Sequence, residues 1–404
     1  MWIINARLVL AERVIERGAL RTEGGLIAEI REGDEPTGAS VLDARGLTLI
    51  PGLIDVHGDM IERELEPRPG TRFGTDLAVL ELDKRLSGCG VTTAYASLSF
   101  ADGLGLRSES RALEIIAELT AMRPALMVDH RIHARYEVSN TDSQPPLREL
   151  LVQGAVSMLS LMDHTPGQGQ YRDMETYVAY LAKWLGRDEQ SVRELTLARM
   201  AQGRTSLGPE GISGAQVWRI GAELGQLARD LGVAVASHDD DTPQKVRLVQ
   251  DMGATISEFP VTLEAAQAAR EQGLWVVMGA PNALRGQSHS GNLSAMSALE
   301  AGVLDALASD YSPMSMLQAA WQIARQGRLD LSGAIRLITA GPAACANLLD
   351  RGRLEVGLRA DLVLVEDLHR PRVRMTLRGG QMIYHDGRLT HPSSQQAELR
   401  SAGR

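Results

Sequence analysis

Apolar and polar positions along the chain change texture twice. Residues 1–50 hold short runs, "WIINARLVL" and "GLIAEIREG", in which β-branched and apolar residues fill strand lengths and Gly24-Gly25 marks a turn. No helix of useful length fits there. From Thr48 onward the rhythm becomes apolar run, loop, helical stretch, repeated. The runs 48–56, 91–98, 125–133, 154–161, 232–237, 254–259, 274–279 and 303–309 predict strands. Most are followed by stretches such as "DLAVLELDKRLSGCG", where Leu77, Leu80 and later leucines recur at helical spacing and Gly88 or Gly90 supplies the stop. Residues 172–231 carry two long helical patterns, which enlarge the crossover between the fourth and fifth strands. After Pro342 and a last helix, "GRLEVGLRADLVLVED" and "RVRMTLRGGQMIYHDGRL" return to alternating runs broken by glycines.

Eight strands alternating with helices over about 300 residues predict an α/β protein built on a (β/α)₈ barrel. The two β-rich ends are expected to pair into one small domain beside it. The boundaries read as 1–50 and 348–392 for the two parts of that domain, 51–347 for the barrel and 393–404 for a polar tail that frays.

Charge and composition narrow the partners. A formal net charge of -9 gives no electrostatic reason to expect nucleic acid or an anionic membrane. "MWIINARLVLAERVIERG" is interrupted by Arg7, Glu12, Arg13, Glu16 and Arg17, so it reads as neither signal peptide nor membrane span. Cys89 and Cys345 are too few and too far apart for a disulfide framework, which sets a reducing cytoplasm as the expectation. Self-association into a homo-oligomer is left open.

The candidate chemistry sits at strand ends. Of nine histidines, His369, His385 and His391 fall in the C-terminal strands and tail and read as surface residues. His57, His130, His133, His164, His238 and His289 all fall in the barrel span, where strand ends converge on one site. Asp59 follows His57 by two residues and shares its face of an extended strand. Glu137 follows the third strand, Asp163 and His164 end the fourth, His238 ends the fifth and Asp310 ends the eighth. This mixture of imidazole and carboxylate predicts a divalent metal site, with Zn²⁺ ahead of Mn²⁺ and with Mg²⁺ open. Asp239 is the candidate to orient His238, while Thr242 with Pro243 reads as a helix start.

Cations follow in the loops. Arg68, Arg72, Arg135 and Arg285 lie beyond barrel strands, and the guanidinium fork matches phosphate oxygens. The loop 279–292 combines Gly279, Gly286 and Gly291 with Asn282, Ser288, His289 and Ser290, a composition that fits a phosphate cradle.

Together, "PGLIDVHGD", the aspartate of "ASDYSP" and "GRLEVGLRADLVLVE" resemble the metal-dependent amidohydrolase superfamily. The longer strings "DMIERELEPRPG", "DHRIHARYEV", "SLMDHTPGQGQ", "ASHDDDTP", "MGAPNALRGQSHSGN" and "SDYSPMSML" are similar to one branch of it, the phosphoanhydride hydrolases of bacterial phosphonate breakdown by the carbon–phosphorus lyase pathway. The resemblance implies a TIM-like amidohydrolase barrel and a phosphorylated ribose phosphonate as small-molecule substrate, with pyrophosphate released from its 5-triphosphate. It also implies His57 and His238 as metal ligands and Asp310 as general base, with Asp59, Glu137, His164 and Asp310 completing the ligand set. The chain departs from the superfamily pattern in three places. Asp59 replaces the second histidine of His-x-His, the fourth strand ends without a lysine, and the sixth ends in "SEFP", where Glu258 is the candidate substitute. Two alternatives accompany this expectation: an amide or lactam hydrolase on the same fold, and a metal-free barrel acting as scaffold.

Overall fold

The first predicted strand, 48–56, divides at Gly52 into two strands that belong to different sheets. A Cβ on residue 52 would lie 2.3 Å from the Thr92 hydroxyl, and the Gly52 N–H donates to the Asp361 carbonyl at 2.7 Å. Only a bare backbone passes through that gap. The computed structural model describes residues 1–33, 40–101, 105–164, 169, 174–201, 214–288 and 291–388; the expected tail 393–404 lies outside them.

Ahead of Gly52 run β1 (Trp2–Val9), β2 (Val14–Glu23), β3 (Leu26–Glu32), β4 (Val41–Asp43) and β5 (Thr48–Pro51). After it come β6 (Leu53–Gly58), β7 (Val91–Phe100), β8 (Asp129–Glu137), β9 (Met158–Met162), β10 (Ala234–His238), β11 (Ile256–Glu258), β12 (Trp275–Gly279) and β13 (Ala306–Ala308). The chain ends on β14 (Leu362–Glu366), β15 (Arg372–Arg378) and β16 (Gln381–His385).

Strands β6 to β13 hydrogen-bond in sequence order, every neighbour pair parallel. The last returns to the first through a parallel Gly58–Asp310 bridge. There the Asp59 N–H donates to the Asp310 carbonyl at 2.8 Å and the Asp310 N–H to the His57 carbonyl at 2.9 Å. The Ser309 N–H also donates to the buried Asp55 carboxylate at 2.9 Å. These contacts close a (β/α)₈ barrel, and its seam lies at the site.

The second sheet runs β16-β15-β14-β5-β1-β2-β3, with β4 also beside β1. Its middle is the antiparallel pairing of β14 with β5, Val363 opposite Ile50, so both chain ends build one domain. Leu8, Leu20, Leu49, Leu362, Leu364 and Leu377 fill its separate core.

Further expectations shift. The third strand begins at Asp129 and ends at Glu137 rather than spanning 125–133. Asp83 accepts the Met127 and Val128 N–H groups at 2.9 Å each, so a side chain, not a ladder partner, holds the residues leading into β8. Leu77 and Leu80 lie on the exposed face of helix Thr75–Gly88, whose buried face is Ala78, Val79, Leu82 and Leu86. The enlarged crossover holds three helices among the described residues, Met174–Leu185, Glu189–Ala201 and Gly214–Asp230, where two were expected. None of the described helices is long and apolar enough to cross a membrane.

Candidate active site

The strands bring their acid and imidazole side chains to one mouth of the barrel. His57 and Asp59 come from the end of β6, Glu137 from β8, His164 from just past β9, His238 from β10, Glu258 from β11 and Asp310 from just past β13. Three non-glycine residues there turn off their strands with left-handed backbone: Asp239 (φ 54°), Phe259 (φ 53°) and Asp310 (φ 54°). Such a conformation costs about 1–3 kcal/mol and persists only where the surroundings impose it, which is common at functional sites.

Behind the mouth lies a buried relay. His57 Nδ1 donates to Glu258 Oε1 at 2.9 Å, while its Nε2 faces Asp59 Oδ1 at 3.5 Å. The other Glu258 oxygen accepts the Ser160 hydroxyl at 3.0 Å, and Ser160 also meets His133 Nε2. His133 Nδ1 must donate, because its partner at 3.0 Å is the Val56 carbonyl. Burial pulls His57 down, but the Glu258 and Asp59 carboxylates outweigh it and raise the imidazole to about 10. Burial alone would raise Glu258, yet the His57 and His133 rings beside it bring it down to about 2. His133 is held down to about 4, chiefly by burial, and so is neutral.

A second group lies alongside. Glu137 uses both oxygens on one residue, accepting the His164 N–H at 2.9 Å and its Nδ1–H at 2.8 Å. His164 Nε2 then faces Asp239 Oδ2 at 3.6 Å. Burial lowers His164 while Glu137 and Asp239 more than offset it, to about 9. His238 is buried, its ring centroid 5.6 Å from those of both His57 and His164. Neither of its nitrogens has a hydrogen-bond partner, and neither has Asp239 Oδ2, which lies 3.3 Å from His238 Nδ1 but is too poorly aimed to bond it. Burial lowers His238, leaving it a neutral imidazole with an open lone pair.

The cavity these residues floor has a volume of about 550 Å³ and is lined also by Glu62, Arg63, Arg107, Asn282, Ser288 and Tyr311. Asp59 sits between two guanidiniums, accepting Arg135 at 3.0 Å and Arg107 at 3.2 Å; burial works against these charges, and they hold its carboxyl well below the usual range. Arg107 also reaches Glu62 at 2.7 Å. Arg135 is only 4% exposed, and its Nε has no hydrogen-bond partner. Burial, with the Asp59 charge beside it, raises Asp310 to about 7.

Set against the expectations from sequence, His57, Asp59, His238, Asp239, Asp310 and Arg135 meet at the cavity, with His164 against Asp239. Glu137 does not line it. Its two oxygens hold His164, so it serves that histidine rather than facing the opening. Asp239 does more than flank His238, since it lies between two imidazoles. Asn282 lines the cavity, but its amide ties the loop together, donating to the Leu293 carbonyl at 3.1 Å and accepting the Ala295 N–H at 2.9 Å. Ser288 lines the cavity, and His289 lies outside the described residues. Arg68, Arg72 and Arg285 are exposed and stand off the cavity wall; Arg72 pairs with Glu66 at 2.9 Å, and Arg285 ends helix Ala280–Arg285. His130 is structural, its Nε2 on Asp83 at 2.9 Å. Arg107 and Glu62 line the cavity although neither is among the residues expected from sequence, and Arg135 and Glu137, expected beyond the third strand, lie within it.

The donor set fits a divalent metal. One ligand atom each from His164, His238 and Asp239 lie within 4.8 Å of one another, and so do those of His57, His133 and Glu258. The unpartnered His238 nitrogens and Asp239 oxygen are what a cation would satisfy. The residues that would hold it are His57, His164, His238 and Asp239, with Asp59 and Asp310 beside them.

A model of an amidohydrolase family (Amidohydro_3) matches residues 84–384. The chain is 36% identical over 372 residues, 90% of its length and 94% of the relative's, to the α-D-ribose 1-methylphosphonate 5-triphosphate diphosphatase of Escherichia coli strain K12. It is 23% identical over 413 residues to a dihydroorotase of Wolbachia sp. subsp. Drosophila simulans, covering 90% of this chain and 86% of that one. In fold it resembles 5-methylcytosine deaminase from Klebsiella pneumoniae, with a TM-score of 0.63 and 16% identity over 97% of this chain and 99% of that one.

Proposed function

We propose, from the premise that the chain belongs to the amidohydrolase family, that it is a metal-dependent diphosphatase cleaving α-D-ribose 1-methylphosphonate 5-triphosphate to the 5-phosphate and pyrophosphate. The observation that carries this is the end-to-end likeness to the diphosphatase, 36% identity over nearly both whole chains. The cavity supports it. Arg63, Arg107 and Arg135 reach one wall, and the unpartnered Arg135 Nε is a buried donor suited to a phosphate oxygen. Arg107 and Arg135 also offset Asp59 and Glu62, and a neutral amide would offer the open Arg135 Nε no charged partner.

A bound divalent cation, Zn²⁺ in this proposal, would supply Lewis-acid polarisation of a phosphoryl oxygen and lower the pKa of water. The chain's own residues do the rest. Asp310, held near neutral titration by burial and by Asp59, takes the proton of the attacking water. Arg135 and Arg107 fix Asp59 and present N–H groups where charge accumulates on the leaving pyrophosphate. Left-handed backbone at Asp239 and Asp310 aims both carboxylates into the opening. The compartment in this proposal is the cytoplasm, in keeping with the free thiols of Cys89 and Cys345.

The test is to load purified protein with Zn²⁺ and follow both products from the triphosphate, with and without chelator. Pyrophosphate and 5-phosphate in equal amounts, lost on chelation, are expected. Stepwise release of inorganic phosphate would defeat the proposal, and so would bound metal with hydrolysis only of a dihydropyrimidine or other cyclic amide.

A further inference from the structure

We infer that Glu258 is a positioning residue, which fixes the tautomer and direction of His57 from behind and does not itself bind the metal. The inference rests on the metal-dependent reading above. Glu258 is one of three residues, with His57 and His133, whose polar atoms cluster closely enough to suggest a cation among them. The hydrogen bonds argue otherwise. Both Glu258 oxygens are taken, one by His57 Nδ1 and one by the Ser160 hydroxyl. His133 Nδ1 is taken by the Val56 carbonyl, and its Nε2 packs on the Ser160 oxygen, away from the opening. Glu258 and His133 are 0% exposed, and neither lines the cavity, whereas His57 does. An acceptor-only carboxylate on Nδ1 forces the proton there and leaves Nε2 as the face turned toward Asp59 and the opening.

The same arrangement occurs again at the ends of β8 and β9, where Glu137 accepts the Nδ1–H of His164 and leaves Nε2 toward Asp239. Two carboxylate–imidazole pairs thus point their Nε2 atoms into one region, with the unpartnered His238 between them. Ser160 and His133 form the support behind Glu258. Removing such a partner behind a ligand lowers metal affinity or activity by about 10- to 100-fold without changing which atoms bind.

The experiment uses Co²⁺ as probe on the full chain after chelation, comparing wild type with Glu258→Gln, Glu258→Ala and Ser160→Ala. The Gln carbonyl still accepts the His57 Nδ1–H. Glu258→Gln is therefore expected to keep the wild-type ion count and the visible Co²⁺ band position, with affinity between wild type and Glu258→Ala. Glu258→Ala should bind about 10- to 100-fold more weakly, and Ser160→Ala should weaken binding less, with the band unmoved. A shifted band or a lost ion in Glu258→Gln would make Glu258 a ligand and overturn the inference. Wild-type affinity in all three variants would overturn it as well. If the Glu258 variants do not fold, Ser160→Ala decides: weaker binding with an unmoved band supports the inference, and wild-type affinity sinks it. Wild type that takes up no Co²⁺ is a different failure, that of the metal-dependent reading itself.

Discussion

Asp310 has an environment that separates two roles a carboxylate at this mouth could play. Its backbone is tied into the barrel seam through Asp59 and His57, so its side chain is positioned independently of any bound ion. Asp310→Asn preserves that backbone and the side-chain volume but cannot accept a proton. Turnover of the triphosphate should fall by about 10²–10⁴-fold, the usual contribution of a positioned base. Metal content measured on the same sample should stay near that of wild type. Near-normal turnover would remove Asp310 from the base role. The arginines divide in the same way. Arg107 lies in the cavity wall on Asp59 and Glu62, whereas Arg285 is exposed at a helix end. Arg107→Ala should raise KM by about 10- to 100-fold, the worth of one charged hydrogen bond, and Arg285→Ala should leave KM unchanged; the reverse pattern would move the phosphate site to the glycine-rich loop. His57, Asp59, His238 and Asp310 were legible in the sequence because each stands at the end of an apolar run, where a barrel gathers chemistry. Arg107 was not, because nothing local in a turn before a helix reveals which distant carboxylates it will meet.

At the scale of elements, the strand pattern was legible wherever the apolar run coincided with the ladder. It failed where something other than periodicity sets an end. In β8 the entry residues are held by Asp83, and the strand continues through Arg135, which lines the cavity, to Glu137, which holds His164, although the polarity of both reads as loop. The run 48–56 hides a change of sheet, because Gly52 is apolar in pattern and only its missing Cβ distinguishes it. Gly52→Ala tests this. The new methyl would meet the Thr92 hydroxyl at 2.3 Å and its methyl at 2.6 Å, so the junction must shift. Overpacking of this kind costs about 1–3 kcal/mol, read as a lower urea midpoint at constant m. Adding Thr92→Ala removes the two nearest atoms and should recover part of the loss. A Gly52→Ala chain as stable as wild type would show that the two sheets have slack at their junction.

For the whole molecule, the site and the closure of the fold are the same structure. Where β13 meets β6 the Asp59 N–H donates to the Asp310 carbonyl and the Asp310 N–H to the His57 carbonyl, and the acids Asp59, Asp239 and Asp310 and the imidazoles of His57, His164 and His238 gather at the mouth this seam closes. Without a cation, burial there has to be offset by a proton on His57 and by Arg135, while His238 stays unsatisfied. A ligand that binds the folded chain alone adds stability by mass action, about 2.7 kcal/mol at a free concentration 100 times its dissociation constant. Chelated protein should therefore unfold at a lower temperature than the Zn²⁺-loaded form, and adding Zn²⁺ back should restore the midpoint in a concentration-dependent way. His238→Ala should shrink that increment, because it removes an unpartnered donor and leaves the Glu258 relay intact. A barrel that serves only as scaffold would melt at the same temperature with or without the metal, so this one titration separates a bound centre from a vestige of one before any substrate is made.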